Sequence, residues 1–144
     1  MSELNIPLLR FPEFSGEWEE KKIEDLATVK GGKRINKGYS LQEIDNGHPY
    51  IRVTDMLNNT ISLEEILYVP LQILEQIKNY KITTKDIFIS VAGTLGLVGI
   101  IPNKLNNSNL TENANKLTNL QCDQIFLLQI LNSSRLSNQI KNVT

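Results

Sequence analysis

Three polar segments of the sequence carry side chains suited to contacting nucleic acid. The first begins at Gly31-Gly32-Lys33-Arg34, and Lys37 follows in the same segment. Glycines let a backbone approach a phosphate, while Lys and Arg neutralise the phosphate or reach the O6 and N7 atoms of guanine. These residue types predict phosphate or groove contacts at Lys33, Arg34 and Lys37.

The second and third segments add groups that can hydrogen-bond to bases or sugars. Residues 52–59 offer an arginine, a threonine and two amides, and residues 103–116 are rich in asparagine, whose amide can pair with N6 and N7 of adenine. Asparagine is also an ordinary loop residue, so no single segment is a specific signal. The residues predicted to contact bases or sugars are Arg52, Thr54, Asn58, Asn113 and Asn115 of these segments, together with Thr94 of the 93–96 turn between them. Lys116 is predicted to contact phosphate or a groove.

The sequence contains no recognisable catalytic or metal-binding cluster. Cys122 and His48 are the only residues of their types, which excludes an intrachain disulfide and a typical zinc site. The spacing of Gly93, Gly96 and Gly99 matches neither a dinucleotide fingerprint nor a P-loop, and glycines so placed favour a tight turn. We therefore predict a non-enzymatic protein with no metal and no cofactor.

Charge is distributed unevenly along the chain. The formal net charge is −1, yet residues 21–37 hold six bases against two acids, and residues 38–77 hold one base against six acids. Because electrostatic fields are screened beyond about 8–10 Å, a local basic patch attracts phosphate whatever the net charge. Such blocks are also common on solvated surfaces without a binding role, so charge alone leaves nucleic-acid binding open.

Length and composition are those of one globular domain. The chain has 144 residues, 40% of them hydrophobic and 22% charged. Its longest uncharged stretch, residues 87–103, is interrupted by glycines and is shorter than the roughly 20 apolar residues that span a bilayer. We predict a soluble protein of a reducing compartment, the cytoplasm, without a membrane partner.

Alternating apolar residues predict the elements that must position these segments. Residues 86–91 and 97–101 are expected to form a β-hairpin around a turn at 93–96, and residues 49–54 and 116–120 are expected to be strands. Four motif residues are expected to be scaffold of the hairpin rather than contacts: Asp86, Ser90, Gly93 and Gly96.

Helices are expected near both ends of the chain. Residues 19–26, 71–77 and 135–140 have helical spacing, and Asp123 can cap a helix that ends at Leu131. Residues 62–69 fit both a capped helix and a strand. Scattered strands without a βαβ rhythm predict an α+β fold: a single domain with a twisted, mostly antiparallel sheet and flanking helices.

Five short blocks follow one another in a fixed order. They are residues 18–33 (WEEKKIEDLATVKGGK), 49–56 (PYIRVTDM), 85–96 (KDIFISVAGTLG), 110–114 (LTENA) and 126–133. Each block alone is a weak signal. Together, over nearly the whole chain, they resemble the target recognition domain of the DNA specificity subunit of type I restriction-modification systems.

This resemblance implies a non-catalytic protein that recognises one half of a split site in double-stranded DNA and has no cofactor of its own. The subunit usually holds two such domains and long helices that set the spacing of the half-sites. The implied partners are methylation (M) subunits, which methylate adenine with S-adenosylmethionine, and indirectly the ATP-dependent restriction (R) subunit. The expected organisation is an N-terminal extended segment, residues 1–17, and a recognition domain, residues 18–144, without the spacer helix and second recognition domain.

The residues leave one alternative function. The acidic stretch 38–77 and the apolar run 125–131 could dock a methylation subunit or a second copy of the chain, which would form a homodimer. The chain would then be a protein-interaction or self-associating fragment with no autonomous DNA binding.

Overall fold

The computed structural model describes residues 9–14, 17–21, 23–93 and 96–133. Within these ranges the chain forms ten strands: β1 (Leu9–Phe14), β2 (Glu17–Lys21), β3 (Thr28–Gly31), β4 (Pro49–Ile51), β5 (Leu67–Tyr68), β6 (Lys81–Ile82), β7 (Ile87–Ser90), β8 (Val98–Gly99), β9 (Ser108–Leu110) and β10 (Ala114–Thr118). The α-helices described are α1 (Ile23–Leu26) and α2 (Gln124–Leu131). Short 3-10 turns occupy Val53–Asp55, Leu71–Ile73, Glu75–Ile77 and Asn103–Leu105.

The strands form one two-stranded sheet and two four-stranded sheets. β1 and β2 pair with each other, sheet I has the order β3-β10-β7-β8, and sheet II has the order β5-β4-β9-β6. All pairs are antiparallel except β4 with β9, which run parallel. The α+β class predicted from the sequence is confirmed, although the strands divide between sheets rather than forming one.

Apolar residues pack on both faces of sheet I. Ile87 and Ile89 of β7 face Leu127 and Leu131 of α2, while Phe88 between them faces sheet II, and all five are at most 1% exposed. Because a helix covers one face and a sheet covers the other, both sets of alternate side chains are buried. The far face of sheet II is covered by the two consecutive 3-10 turns.

The hairpin and the capped helix predicted from the sequence are present. Ile89 pairs with Val98 across the hairpin, and Phe88 pairs with Gly99. The Asp123 side chain accepts a hydrogen bond from the backbone N–H of Phe126, at 2.9 Å, at the start of α2. Both elements depend on short-range signals that the sequence displays directly.

Two predicted helices are replaced by other elements. The helix expected over 19–26 is confined to α1, because residues 17–21 pair with β1 as strand β2. The helix expected over 71–77 is a pair of 3-10 turns in which Ile73 and Ile77 are buried.

Three further segments contain strands whose bounds differ from the expected ones. The strand expected over 49–54 ends at Ile51, because the backbone N–H of Arg52 donates to the side chain of Asp55 and starts a 3-10 turn. Of the two structures that residues 62–69 fit, the segment contains the strand, which is β5. The strand expected over 116–120 is β10. The helix expected over 135–140 and residue Thr94 lie outside the described residues.

Candidate nucleic-acid interface

Four loops meet at one edge of the two sheets. Parallel β4 and β9 both end there, and the backbone N–H of Thr111 donates to the carbonyl of Ile51 at 3.0 Å. β3 and β7 also end at this edge, where β10 begins. We call residues 32–37, 52–54, 91–93 and 111–113 the loop edge.

Backbone hydrogen bonds join these loops to one another. Lys33 N–H donates to the carbonyl of Leu110 at 2.8 Å, and Val91 N–H donates to the carbonyl of Asn113 at 2.9 Å. A Cβ at Gly93 would lie 3.5 Å from a methyl carbon of Val53, so residues 52–54 also border the turn. The loop edge is therefore a connected surface drawn from four separate parts of the chain.

Gly32 permits the closest contact in the loop edge. A Cβ at this position would lie 2.1 Å from the carbonyl oxygen of Thr111 and 2.3 Å from that of Leu110. Such distances are far below van der Waals contact, so only glycine lets the two loop backbones meet. The predicted role of the Gly31-Gly32 pair was close approach to a phosphate; here the second glycine approaches protein backbone.

An ion pair crosses between two of the loops. The Arg34 Nε donates to a carboxylate oxygen of Glu112 at 3.0 Å, and the other carboxylate oxygen accepts from the Thr111 hydroxyl at 3.1 Å. The Arg34 side chain is 79% exposed, whereas that of Glu112 is 33% exposed. Partial burial raises the pKa of Glu112, but hydrogen bonds from Arg34, its own backbone and Thr111 outweigh burial and hold the pKa below its ordinary value.

Lys33 lies at the loop edge above two tyrosines. Its ammonium is 5.9 Å from the centre of the Tyr80 ring, within the range of a cation–π contact. Its carbonyl accepts a hydrogen bond of 2.7 Å from the buried hydroxyl of Tyr50. Burial raises the pKa of Tyr50 to about 12, so this hydroxyl remains a donor at neutral pH. Lys37, farther along the loop, is exposed.

The predicted base-contacting residues of the second segment differ in their surroundings. Arg52 forms two hydrogen bonds with Asp55, at 3.2 and 3.0 Å, and a third with the carbonyl of Glu65 at 2.8 Å. Thr54 and Asn58 are exposed. The structure therefore presents Thr54 and Asn58 to solvent and gives Arg52 partners within the protein.

The residues predicted in the third segment are divided by β9 and β10. Asn113 is exposed at the loop edge, and Asn115 lies in β10 beside Gly31. Lys116 is half-buried, and its ammonium donates to the carbonyl of Lys81 in sheet II. Residues 103–107 precede β9 and therefore lie at the opposite end of that strand from residues 111–113.

Sequence reasoning missed Glu112 and Thr111 as members of the site. Both lie in the LTENA block, and an acid beside Asn113 was the available signal. A carboxylate repels phosphate, so an acid is not among the residue types that predict DNA contacts. The buried carboxylate of Asp55 forms an ion pair with Arg52.

The residues expected to be scaffold have internal partners. The Asp86 carboxylate accepts from the backbone N–H of Thr83 at 2.8 Å, and Ser90 Oγ accepts from the backbone N–H of Leu97 at 2.9 Å. Gly93 and Gly96 have positive φ angles of 76° and 79°. These features support the turn that borders the loop edge.

Two features are absent from the described part of the chain, a cluster of metal ligands and a membrane-spanning helix. Across these residues, His, Cys, Asp and Glu side chains do not gather in groups of three that could bind a metal ion. Every helix described is too short or too polar to cross a membrane.

One protein-family model matches nearly the whole chain, and one solved structure shares its fold. The model for "Type I restriction modification DNA specificity domain" matches residues 15–144. The crystal structure of the HsdS subunit from Thermoanaerobacter tengcongensis has a similar fold, with a TM-score of 0.65 and 14% sequence identity, over 89% of this chain and 30% of that subunit. The chain thus spans about a third of the subunit's length. No curated protein matches the sequence.

Proposed function

Because this chain belongs to the family of type I restriction-modification DNA specificity domains, we propose that it recognises one half of a bipartite DNA site through its loop edge. Members of this family are the non-catalytic specificity components of restriction-modification systems. We propose two things beyond family membership: that this chain binds DNA sequence-specifically, and that the loop edge is the surface that binds.

The convergence of four loops at one sheet edge is the observation that carries this proposal. DNA recognition needs cations for the phosphates and hydrogen-bonding side chains for the bases. The loop edge places Lys33 and Arg34 beside Asn113, with Thr54 on the adjoining loop. These loops are fixed by backbone hydrogen bonds, so the contacting groups are held on a rigid scaffold.

We assign the predicted contacts as follows. Lys33 and Lys37 contact phosphate, and Arg34 contacts the groove. Base or sugar contacts are assigned to Thr54, Asn58, Thr94, Asn113 and Asn115. Arg52 and Lys116 have partners inside the protein, so their DNA contacts require those hydrogen bonds to be exchanged.

The partner subunits are proposed because the chain belongs to this family. A specificity component directs the methylation and restriction subunits to their DNA site. The proposed partners are therefore the methylation subunits and, through them, the restriction subunit. The chain spans 30% of the similar HsdS subunit, so assembly would involve parts of a subunit beyond this domain. Because the proposed target is DNA, we propose that the protein acts in the cytoplasm.

The test is selection of bound duplexes from a randomised library by the purified full chain at low salt, followed by sequencing. Enrichment of a motif of a few base pairs supports the proposal. Binding without enrichment would mean that a basic patch binds DNA without sequence preference, which contradicts the proposal. The absence of binding would contradict DNA recognition by this chain alone.

The salt dependence of binding tests the surface itself. Replacing Lys33 and Lys37 together by Ala removes the two cations assigned to phosphate, which should reduce the slope of log K against log salt by about 1.8. Lys104→Ala is the matched control, since this exposed lysine precedes β9 at the end opposite the loop edge. An unchanged slope in the double variant would remove this loop from the interface.

A protein-interaction role remains as the second candidate, favoured by exposed apolar residues in the acidic stretch. Ile44 is 77% exposed and Leu63 is 46% exposed. The apolar run 125–131 offers less, because Leu127 and Leu131 are buried in the core. A mass that rises with protein concentration, without DNA binding, would favour this role and a homodimer.

A further inference from the structure

Glu112 is an unexpected residue on a surface assigned to DNA. A carboxylate repels phosphate, so an acid at a DNA interface is unfavourable unless it meets a hydrogen-bond donor. Hydrogen bonds from Arg34 and Thr111 fix this carboxylate and favour its charged form. Glu112 is therefore a fixed acceptor in the middle of the loop edge.

The base edges of DNA offer a partner for such an acceptor. In the major groove, the amino group of cytosine donates to Glu or Asp, and guanine O6 and N7 accept from Arg. A G·C pair thus shows two acceptors followed by one donor. An A·T pair instead shows an acceptor, a donor and an acceptor, and so lacks the adjacent acceptors that a bidentate arginine contacts.

Arg34 and Glu112 together present the complementary pattern. The Arg34 Nε is used by Glu112, and in the described part of the chain the two Nη groups have no hydrogen-bond partner. These groups carry the donors that can contact two adjacent acceptors. The Glu112 carboxylate is 3.0 Å from the Arg34 Nε, so the acceptor and the two Nη donors belong to directly hydrogen-bonded neighbouring groups.

The two residues are also held together by their loops. Lys33, beside Arg34, is bonded through its backbone to Leu110, and Gly32 lies against the carbonyl of Thr111. Neither loop can move away without breaking these contacts, so the pair acts as one unit. A solvent-exposed ion pair on two independent loops would have no such fixed geometry.

We propose that Arg34 and Glu112 form a subsite that recognises one G·C pair of the DNA half-site, Arg34 contacting the guanine and Glu112 accepting from the cytosine amino group. This inference rests on the proposed DNA-recognition function and specifies the base pair that the loop edge selects. Glu112 is a specificity-determining residue, and it selects the G·C pair together with Arg34.

The experiment compares motifs selected from a randomised duplex library by the full-length wild type, Glu112→Gln and Arg34→Ala, since a lysine could still contact guanine O6 and N7. We expect a G·C pair at one position of the wild-type motif, and a loss of discrimination at that position of about 5- to 150-fold in each variant, the range for one bidentate base contact. Other positions should keep their preferences.

Control measurements separate the possible results. Glu64→Gln removes an exposed acid outside the loop edge and should leave the motif unchanged, and unfolding midpoints confirm that each variant is folded. A wild-type motif that persists in both variants overturns the subsite while the proposed function stands. A motif without a fixed G·C pair also overturns it. Failure of the wild type to enrich any motif overturns the proposed function and, with it, the subsite.

Discussion

Substitution of Gly32 by Ala tests whether the loop edge is a single connected surface. The added Cβ would lie 2.1 Å from the carbonyl oxygen of Thr111 and 2.3 Å from that of Leu110. Both atoms belong to backbone, which cannot rotate away as a side chain can. The two loops must therefore separate, and the hydrogen bonds beside Gly32 must lengthen or break.

The expected loss of stability follows from the contacts at this point. The backbone N–H of Gly32 donates to Ala114 at 3.2 Å, and that of Lys33 donates to Leu110 at 2.8 Å. Losing both costs about 2 kcal/mol at roughly 1 kcal/mol each. Relieving the overlap costs about a further 1–3 kcal/mol, as in other overpacked sites. We expect Gly32→Ala to reduce the free energy of unfolding by about 3–5 kcal/mol.

Urea unfolding of the wild type and two alanine variants measures this effect. Gly31→Ala is the matched control, because its Cβ would meet only the side chain of Asn115, at 3.3 Å, and that side chain can adjust. We expect the control to lose less than about 1 kcal/mol, the ordinary range for a substitution without a buried clash. Equal stabilities of the two variants would refute the conclusion that Gly32 joins the loops.

Three further predictions concern contacts near the loop edge. Asp55→Asn removes the charged partner of Arg52 and should cost about 3 kcal/mol in urea unfolding, since Asp55 is buried; a loss below about 1 kcal/mol would contradict this role. Because burial raises the pKa of Tyr50 to about 12 from 10.0, the stability that its protonated hydroxyl contributes is complete below pH 10 and lost as pH rises through 12. Tyr50→Phe should lose less stability than wild type between pH 10 and 12, and parallel pH profiles would contradict this. Ser90→Ala leaves the backbone N–H of Leu97 without its side-chain acceptor, which should lower the unfolding free energy by about 1–3 kcal/mol; an unchanged urea midpoint would contradict the scaffold role.

Local elements of the fold were predictable from the sequence because their signals are local. The hairpin β7–β8 has alternating apolar residues and a glycine turn, and α2 has its cap at Asp123. The early end of β4 was not predictable from alternation, because a side chain three residues away, Asp55, competes with the strand. The parallel pairing of β4 with β9 joins distant segments that share no local pattern.

The candidate site was predictable in part for the same reason. Residue types placed Lys33, Arg34 and Asn113 among the contacts, and the structure brings their loops together. Sequence reasoning treated residues 103–116 as one segment, but β9 runs through it and sends its two halves to opposite ends of sheet II. The role of Glu112 depends on a partner on another loop, which composition and spacing do not reveal.

The long-range pairing of the sheets also governs when the proposed binding surface can form. β3 pairs with β10, and Lys33 bonds to Leu110, so the cations of the first loop precede their supporting strands by most of the chain. Contacts so distant in sequence form late, because loop closure must precede them. During synthesis, Lys33 and Arg34 leave the ribosome long before β9 and β10 do. A nascent chain that ends before residue 110 carries these cations without the assembled edge, so selective DNA binding would arise only as translation of the domain nears completion.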